Sequence, residues 1–228
     1  GVMKKYISFL LASSLTLAPV LVMADVQIGS TRVIYNSSAN EAALPIKNTD
    51  AANIYLVQSW VEPNAGSKPS FIIIPPLFRL EGNEEHSLRI IKTRDDLPKD
   101  RESQFWLDIK SIPSTDNKTT KDSLQLIVKS RLKLFYRPEN LAGSPDEAYK
   151  KIIFNADGSE IKVTNPTGFY ITFYKFKVND RDIKEATMVA PKSSVTFSLP
   201  KDEDNTRIVT WQAITDSGSP TTVEKKIL

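Results

Sequence analysis

From residue 53 onward, the apolar side chains of this chain recur at every second position. The alternation appears in short runs along the chain: Ile54, Leu56 and Trp60; Leu88 and Ile90; Phe105, Leu107 and Ile109; Ile161 and Val163; Phe169, Ile171 and Phe173; Val195, Phe197 and Leu199. A period of two is typical of β-strands with one buried face, whereas an amphipathic helix has a period of about 3.6. The sequence therefore predicts an all-β fold.

Turn-forming residues separate these runs at short intervals, as at Asp157-Gly158, Asn165-Pro166 and Asp216-Ser217-Gly218. Short antiparallel strands need a second sheet to cover their apolar faces, and 228 residues accommodate two such sandwiches better than one. A segment that contains Pro, Gly and Ser is expected to be the hinge. The predicted units are an N-terminal domain of residues 25–139, a hinge of residues 140–147 and a C-terminal domain of residues 148–228.

Residues 3–24 have the pattern of a secretory signal peptide. Lys4 and Lys5 precede an apolar run from Tyr6 to Val22, and Ala24 is a small residue at the expected cleavage point. The run is interrupted by serines and Pro19, which argues against a membrane-spanning helix. We therefore expect an exported protein that begins at Asp25 after processing.

Composition argues against several classes of function. The chain has 30 basic and 27 acidic residues, and 28 basic residues remain when Lys4 and Lys5 are left out. Nucleic-acid binding needs a concentrated excess of Lys and Arg, so this balance argues against it. With no Cys and only His86, we expect no metal and no cofactor. His86 lies in a polar, turn-like stretch, and the adjacent Glu84 and Glu85 would point to opposite faces of a strand, so we expect no enzyme.

The alternation in residues 123–136 extends over more positions than a typical strand of about five or six residues. Apolar residues occupy its even positions except Ser130, while Lys129, Arg131 and Lys133 occupy the opposite face. A strand of this length can lie wholly in its own core or leave an apolar edge open to another chain. The alternation alone does not decide between these two possibilities.

The strand ends in a motif, Leu132-Lys133-Leu134-Phe135-Tyr136-Arg137-Pro138, that resembles the periplasmic chaperones of the chaperone-usher pathway, which assembles bacterial surface pili. Further matches to this family are spread along the chain: Thr31-Arg32, Pro75-Pro76 before Arg79-Leu80-Glu81, Asp100 to Trp106, Ile112-Pro113 and Asn165-Pro166-Thr167. The chain departs from the family at Asp108, where members usually have Asn.

The resemblance implies two immunoglobulin-like sandwiches set at an angle, with pilus subunits bound in the cleft. Those subunits lack the last strand of their own sandwich, and the chaperone lends one by donor-strand complementation. The implied partners are pilus subunits and an outer-membrane usher, and the implied compartment is the periplasm. The resemblance leaves self-association of the free chaperone open. The short connection of residues 114–123 resembles the short-loop class of the family.

Three groups of residues match functional positions of the family. Arg32 and Lys133 match the anchor for the carboxylate at the subunit's C-terminus. The lent side chains are expected to be Leu124, Leu126 and Val128. An interdomain charge cluster is expected from Glu102, Arg137 and Asp216. The alternative for the whole chain is a secreted immunoglobulin-like binding module or a structural component of a surface fibre.

Overall fold

The computed structural model of the protein describes residues 25–64, 66–115, 126–201 and 206–228. Within these residues the chain forms two β-sandwiches in succession, each with its own apolar core. The all-β prediction is thereby confirmed. The one helix of the described residues is a short 3-10 helix, Ala148–Lys151. No helix of this part of the chain is long and apolar enough to cross a membrane.

The N-terminal sandwich is formed by nine strands. They are β1 (Val26–Ile28), β2 (Arg32–Asn36), β3 (Ala42–Asn48), β4 (Tyr55–Val61), β5 (Phe71–Ile74), β6 (Leu77–Leu80), β7 (Glu85–Lys92), β8 (Ser103–Pro113) and β9 (Val128–Arg137). One sheet has the order β1-β3-β7-β5 and the other has the order β2-β9-β8-β4-β6. The core between them contains the ring of Phe71, which packs against Tyr35 and Phe105.

The C-terminal sandwich follows the 3-10 helix. Its strands are β10 (Ile153–Asp157), β11 (Glu160–Asn165), β12 (Ile171–Val178), β13 (Arg181–Asp182), β14 (Met188–Val189), β15 (Ser193–Ser198), β16 (Ile208–Ala213) and β17 (Glu224–Ile227). The sheets are β10-β11-β15 and β13-β12-β16-β17, and β14 also pairs with β12. Trp211 lies in this core, where its indole N–H donates to the carbonyl of Tyr149 at 2.9 Å.

The expected antiparallel arrangement needs one correction. Strands β2 and β9 are parallel, in a register that runs from Arg32 opposite Lys133 to Asn36 opposite Arg137. The other strand pairs in the described residues are antiparallel. The chain crosses from one sheet to the other between β1 and β2, so β2 reaches β9 in the same direction. This register places two cations side by side.

The alternation identifies the buried face in most of the strands that it predicts, but not in β4. Phe105, Leu107 and Ile109 of β8 are buried as expected. In β4 the expected apolar face is wrong, because Leu56 is 37% exposed. The side chains of β4 that enter the core are those of Val57, Ser59 and Val61. Apolar residues occupy both faces of this strand, so alternation alone could not select the inner one.

The two domains contact each other directly beside the hinge. The backbone N–H of Glu102 donates to the carbonyl of Gly168 at 2.8 Å. The ammonium of Lys192 lies 3.2 Å from the carboxylate of Asp100. Phe135 of β9 and Tyr170 of the C-terminal domain pack their rings at a centroid distance of 5.5 Å. These contacts place the end of β9 against the beginning of β12.

Candidate functional site

Strand β9 is paired along almost its full length on one side and along only half of its length on the other. On one side β8 pairs with it from Val128 to Tyr136. On the other side β2 pairs with it only from Lys133 onward. Within the described residues, no strand pairs with Val128–Leu132 on that side. This open edge presents backbone N–H and C=O groups that another chain can pair with.

The side chains of β9 change from buried to exposed toward this open end. Leu132 and Leu134 are buried in the core, whereas Val128 is half-buried. Leu126 and Ile127, which precede the strand, are 53% and 58% exposed. The expected strand over residues 123–136 therefore needs correction at its start, because β9 begins at Val128. Leu124 lies outside the described residues.

Arg32 and Lys133 stand directly opposite each other on β2 and β9. Burial lowers the pKa of Arg32, an effect that the carboxylate of Asp216 opposes. Burial also lowers the pKa of Lys133, and the charge of Arg32 lowers it further. Among the described residues, the Nε of Arg32 is buried without a hydrogen-bond partner, and the ammonium of Lys133 reaches only the hydroxyl of Thr172, at 3.5 Å.

Neither of these cations forms an ion pair with a carboxylate of the described residues. Two half-buried like charges repel each other, and each has lost part of its hydration. An anion placed between them would relieve both costs through charge-assisted hydrogen bonds. The pair is therefore chemically suited to bind a carboxylate at the end of the open edge.

Arg137 joins carboxylates from both domains. Its Nε donates to Glu102 at 2.8 Å, and its two terminal nitrogens donate to Asp216 at 2.7 and 2.9 Å. Glu102 is 3% exposed, and its second oxygen accepts the N–H of Tyr170 at 2.7 Å. Burial raises the pKa of Glu102, while Arg137 opposes that shift. The structure thus brings the three predicted cluster residues together at the domain boundary.

We expect Arg137→Ala to lower the melting temperature, because it leaves the carboxylate of Glu102 buried without its cation. Removing one partner of a buried ion pair costs about 3 to 5 kcal/mol. Small-angle scattering should also show a changed domain arrangement, because Asp216 loses the same partner. The control is Arg101→Ala, which removes an exposed ion pair with Asp100 and should leave the melting temperature almost unchanged. An unchanged melting temperature and scattering curve for Arg137→Ala would contradict the interdomain role.

Asp108 lies on the outer face of the same sheet, yet it is fully buried. Neither of its carboxylate oxygens has a hydrogen-bond partner among the described residues. The ammonium of Lys129 is 3.9 Å away, and Arg131 forms a two-pronged contact with Glu62 at 3.1 and 2.7 Å. Burial, together with the nearby carboxyl of Glu62, raises the pKa of Asp108 to about 6. An uncharged Asn would not carry this ionisation cost.

The raised pKa of Asp108 gives a signed prediction for stability. The folded protein holds this proton more tightly than the unfolded chain, so the associated stability is present below about pH 4 and is lost as the pH rises through about 6. We expect Asp108→Asn to be more stable than the parent at pH 7.5 by about 1 to 3 kcal/mol, and the difference to shrink toward pH 4. Urea unfolding at several pH values measures it.

The matched control for this comparison is Asp157→Asn, at an exposed position in the C-terminal domain. At pH 7.5 its stability should stay within about 0.5 kcal/mol of that of the parent, because the side chain is exposed. A pH-independent difference for Asp108→Asn would show that the carboxyl of Asp108 does not ionise with a raised pKa.

The structure also exposes apolar residues to which the sequence analysis assigned no role. Ile72, Ile74 and Leu77 are 44%, 38% and 57% exposed. They lie on β5 and β6, the strands at the edges farthest from β1 and β2 in their sheets. The uninterrupted apolar run Phe71–Ile74 was the available signal, because such a strand presents apolar side chains on both faces.

Fold and site together define a two-sandwich binding protein with an open strand edge that ends at a pair of cations. Models of two protein domains match the chain. Residues 25–142 match the N-terminal domain of pili and flagellar-assembly chaperones, PapD type. Residues 147–225 match the C-terminal domain of the PapD pili assembly chaperone. The chain belongs to the family of pili assembly chaperones.

Individual relatives agree with this assignment. The probable fimbrial chaperone LpfB of Escherichia coli O157:H7 is 41% identical over 211 residues, which cover 92% of this chain and 91% of LpfB. The chaperone protein FimC of Escherichia coli K12 is 41% identical over 201 residues, which cover 87% of this chain and 82% of FimC.

A solved structure, the SafB chaperone of Salmonella enterica in complex with the SafA pilin, superposes with a TM-score of 0.79. It is 32% identical, and the alignment covers 90% of this chain and 97% of that chain. The predicted family is confirmed by these matches. Members of this family are assembly chaperones and not enzymes, as the sequence predicted for this chain.

Proposed function

We propose that this protein caps pilus subunits by donor-strand complementation in the periplasm and delivers them to an outer-membrane usher. The observation that carries the proposal is the open edge of β9, which ends at the opposed cations Arg32 and Lys133. An open edge supplies backbone hydrogen bonds, and the cations supply a fixed end point for a bound chain. The SafB relative, which was solved with a pilin, supports this proposal.

The geometry sets the direction of the bound strand. A subunit whose terminal carboxylate lies between Arg32 and Lys133 must place its preceding residues along Leu132 to Val128. Its chain then runs toward Lys133, in the same direction as β9. Strand β2 begins at Arg32 and also runs parallel to β9. The bound strand therefore continues the line of β2 along the same edge of β9.

The lent side chains supply the apolar part of the interaction. Leu126 and Val128 occupy alternate positions, and Leu124 continues the series outside the described residues. A subunit with a missing strand exposes its apolar groove to water, at a cost of about 25 cal/mol per Å². Filling the groove with alternate side chains removes that cost, and a shift by one residue would turn these side chains away. The anchor thus fixes the register of the lent strand.

We expect the double variant Arg32→Ala, Lys133→Ala to fold normally but to lose subunit capture. The two cations repel each other in the free protein, so their removal should not destabilise it. Each charge-assisted contact is worth about 1.5 to 3 kcal/mol, so affinity should fall at least about tenfold per cation. Periplasmic co-expression with a tagged fimbrial subunit and co-purification measures the loss. The experiment tests the proposed function as a whole.

The control is Arg89→Ala, which removes an exposed cation that pairs with Glu41 on the other sheet. It should leave the yield of complex unchanged. Recovery of the complex from the double variant at the parental yield would show that the cations do not form the anchor.

We expect Leu126→Glu to block complex formation while the free protein still folds. Leu126 is 53% exposed, so a charge there meets water in the free protein and an apolar groove in the complex. The control is Leu132→Glu on the same strand. Leu132 is 6% exposed in the core, so this variant should unfold the domain. Circular-dichroism melting separates the two cases, and a complex formed normally by Leu126→Glu would mean that Leu126 is not a lent side chain.

The other assignments complete the proposal. Arg137, with Glu102 and Asp216, is proposed to fix the angle between the domains, and residues 3–24 to be removed on export. The boundaries at residues 139 and 148 and the short-loop class remain predictions.

Delivery to an usher needs a second surface, and exposed Ile72, Ile74 and Leu77 supply apolar area at the far edge of the same domain. Such a group of exposed apolar residues is typical of an interaction site.

The alternative function, a structural component of a surface fibre, predicts a different fate in the cell. A chaperone should be recovered from the periplasm as a one-to-one complex with a subunit, whereas a fibre component should remain in the detergent-resistant fibre.

Self-association of the free chaperone through the open edge of β9 would appear as an apparent mass that rises with protein concentration in size-exclusion chromatography.

A further inference from the structure

A tightly bonded turn of the C-terminal domain lies against the anchor. The N–H of Thr215 donates to the carbonyl of Ser219 at 2.8 Å, and the N–H of Gly218 donates to the carbonyl of Thr215 at 2.9 Å. The hydroxyl of Thr215 also lies within 3.0 Å of the hydroxyls of Ser217 and Ser219. These hydrogen bonds fix the conformation of residues 215–219, although the side chains of the turn are largely exposed.

The turn reaches the anchor strand at Gly218. This glycine has φ +86°, and a Cβ built on it would overlap the hydroxyl of Thr31 and lie 3.4 Å from the Cβ of Thr31. Thr31 immediately precedes Arg32, the first residue of β2. The backbone of the turn therefore fills the space beside Thr31, in a way that only a residue without a side chain permits.

A second contact joins the C-terminal domain to the other cation. Lys133 reaches the hydroxyl of Thr172 on β12 at 3.5 Å. The turn also carries Asp216, whose carboxylate is bound by Arg137. Lys133 thus contacts the C-terminal domain directly, and Arg32 is linked to it through the preceding residue, Thr31.

We propose that Gly218 and Thr31 are positioning residues for the carboxylate anchor, and that the C-terminal domain sets the place of Arg32 through their contact. The inference rests on the proposed function, because the position of Arg32 matters only if Arg32 binds the carboxylate of a subunit. Displacing Thr31 moves the start of β2 relative to Lys133. A carboxylate can be held by both cations only if their separation is kept, so a displaced Arg32 loses the two-cation contact while the strand edge remains open.

The test compares three variants that add a side chain at position 218, remove most of the side chain at position 31, or do both. In Gly218→Ala the added methyl displaces Thr31. In Thr31→Ala the contact is emptied. In the double variant the methyl added at position 218 occupies space that the threonine side chain has vacated, with the remaining Cβ at 3.4 Å, which is ordinary contact. Gly158→Ala is the matched control, because Gly158 also has a positive φ of +60° but no atom within 4 Å of an added Cβ.

The probe is a short synthetic peptide of alternating Val and Thr residues with a free terminal carboxylate, compared with the same peptide ending in an amide. The ratio of the two affinities reports the anchor, whereas general damage to the strand edge changes both affinities alike. The parent and Gly158→Ala should bind the acid about tenfold or more tightly than the amide. Gly218→Ala should lose most of this preference, Thr31→Ala part of it, and the double variant should recover it to within about twofold of the parent.

The outcomes separate the two proposals. A parent protein that prefers the acid, with an equal preference in Gly218→Ala, would overturn the positioning role and leave the anchor intact. A Gly218→Ala defect that the double variant does not repair would also overturn it, because the contact with Thr31 would not be its cause. A parent protein with no preference for the acid would overturn the anchor and, with it, this inference.

Discussion

The division of β9 into a paired half and an open half determines how the rest of the molecule is arranged. Its second half lies between β2 and β8, and buries Leu134 in the N-terminal core. Among the described strands, its first half pairs with β8 alone, so the sheet ends there in mid-strand. If β2 paired with β9 along its whole length, no edge would be open to another chain. If β8 did not pair with the first half of β9, its register would not be fixed, and a slip by one residue would turn every side chain to the opposite face of the sheet.

The cations on the paired half of β9 also differ from one another in whether a carboxylate binds them. Arg137, at the end of β9, is satisfied by carboxylates from both domains, and this binding raises its pKa even though burial alone would lower it. Four residues earlier on the strand, Lys133 has no such partner in the described residues and faces Arg32. Buried charge without a partner is costly, and such costs are retained where a ligand later supplies the missing charge. The contrast separates a cation that joins the two domains from the proposed anchor pair within one short stretch of β9.

The sequence predicted the class of fold because alternation is a local signal. For the same reason it predicted the buried face of β11, where Ile161 and Val163 lie in the core, but it did not single out β10 or β16. It selected the wrong face of β4, since Leu56 and Trp60 compete there with Val57 and Val61 and only the packing of the two sheets decides. The parallel pairing of β2 with β9 has no local signature, because direction depends on the crossing between sheets. The motif identified Arg32 and Lys133, but only the register shows that they are opposed.

The burial of Asp108 could not be predicted from the sequence. Its departure from Asn was visible in the sequence, and the pattern of β8 placed it on the outer face, where a carboxylate would be expected to meet water. In the structure the cations Lys129 and Arg131 lie above the rings of Trp60 and Trp106, at 5.3 and 4.1 Å from their centroids. Aromatic rings with cations stacked on them form a second layer on an outer face. That layer covers Asp108, so an outward-facing position on β8 becomes an interior one. The ionisation of this carboxyl therefore affects the stability of the sheet that carries the open edge of β9.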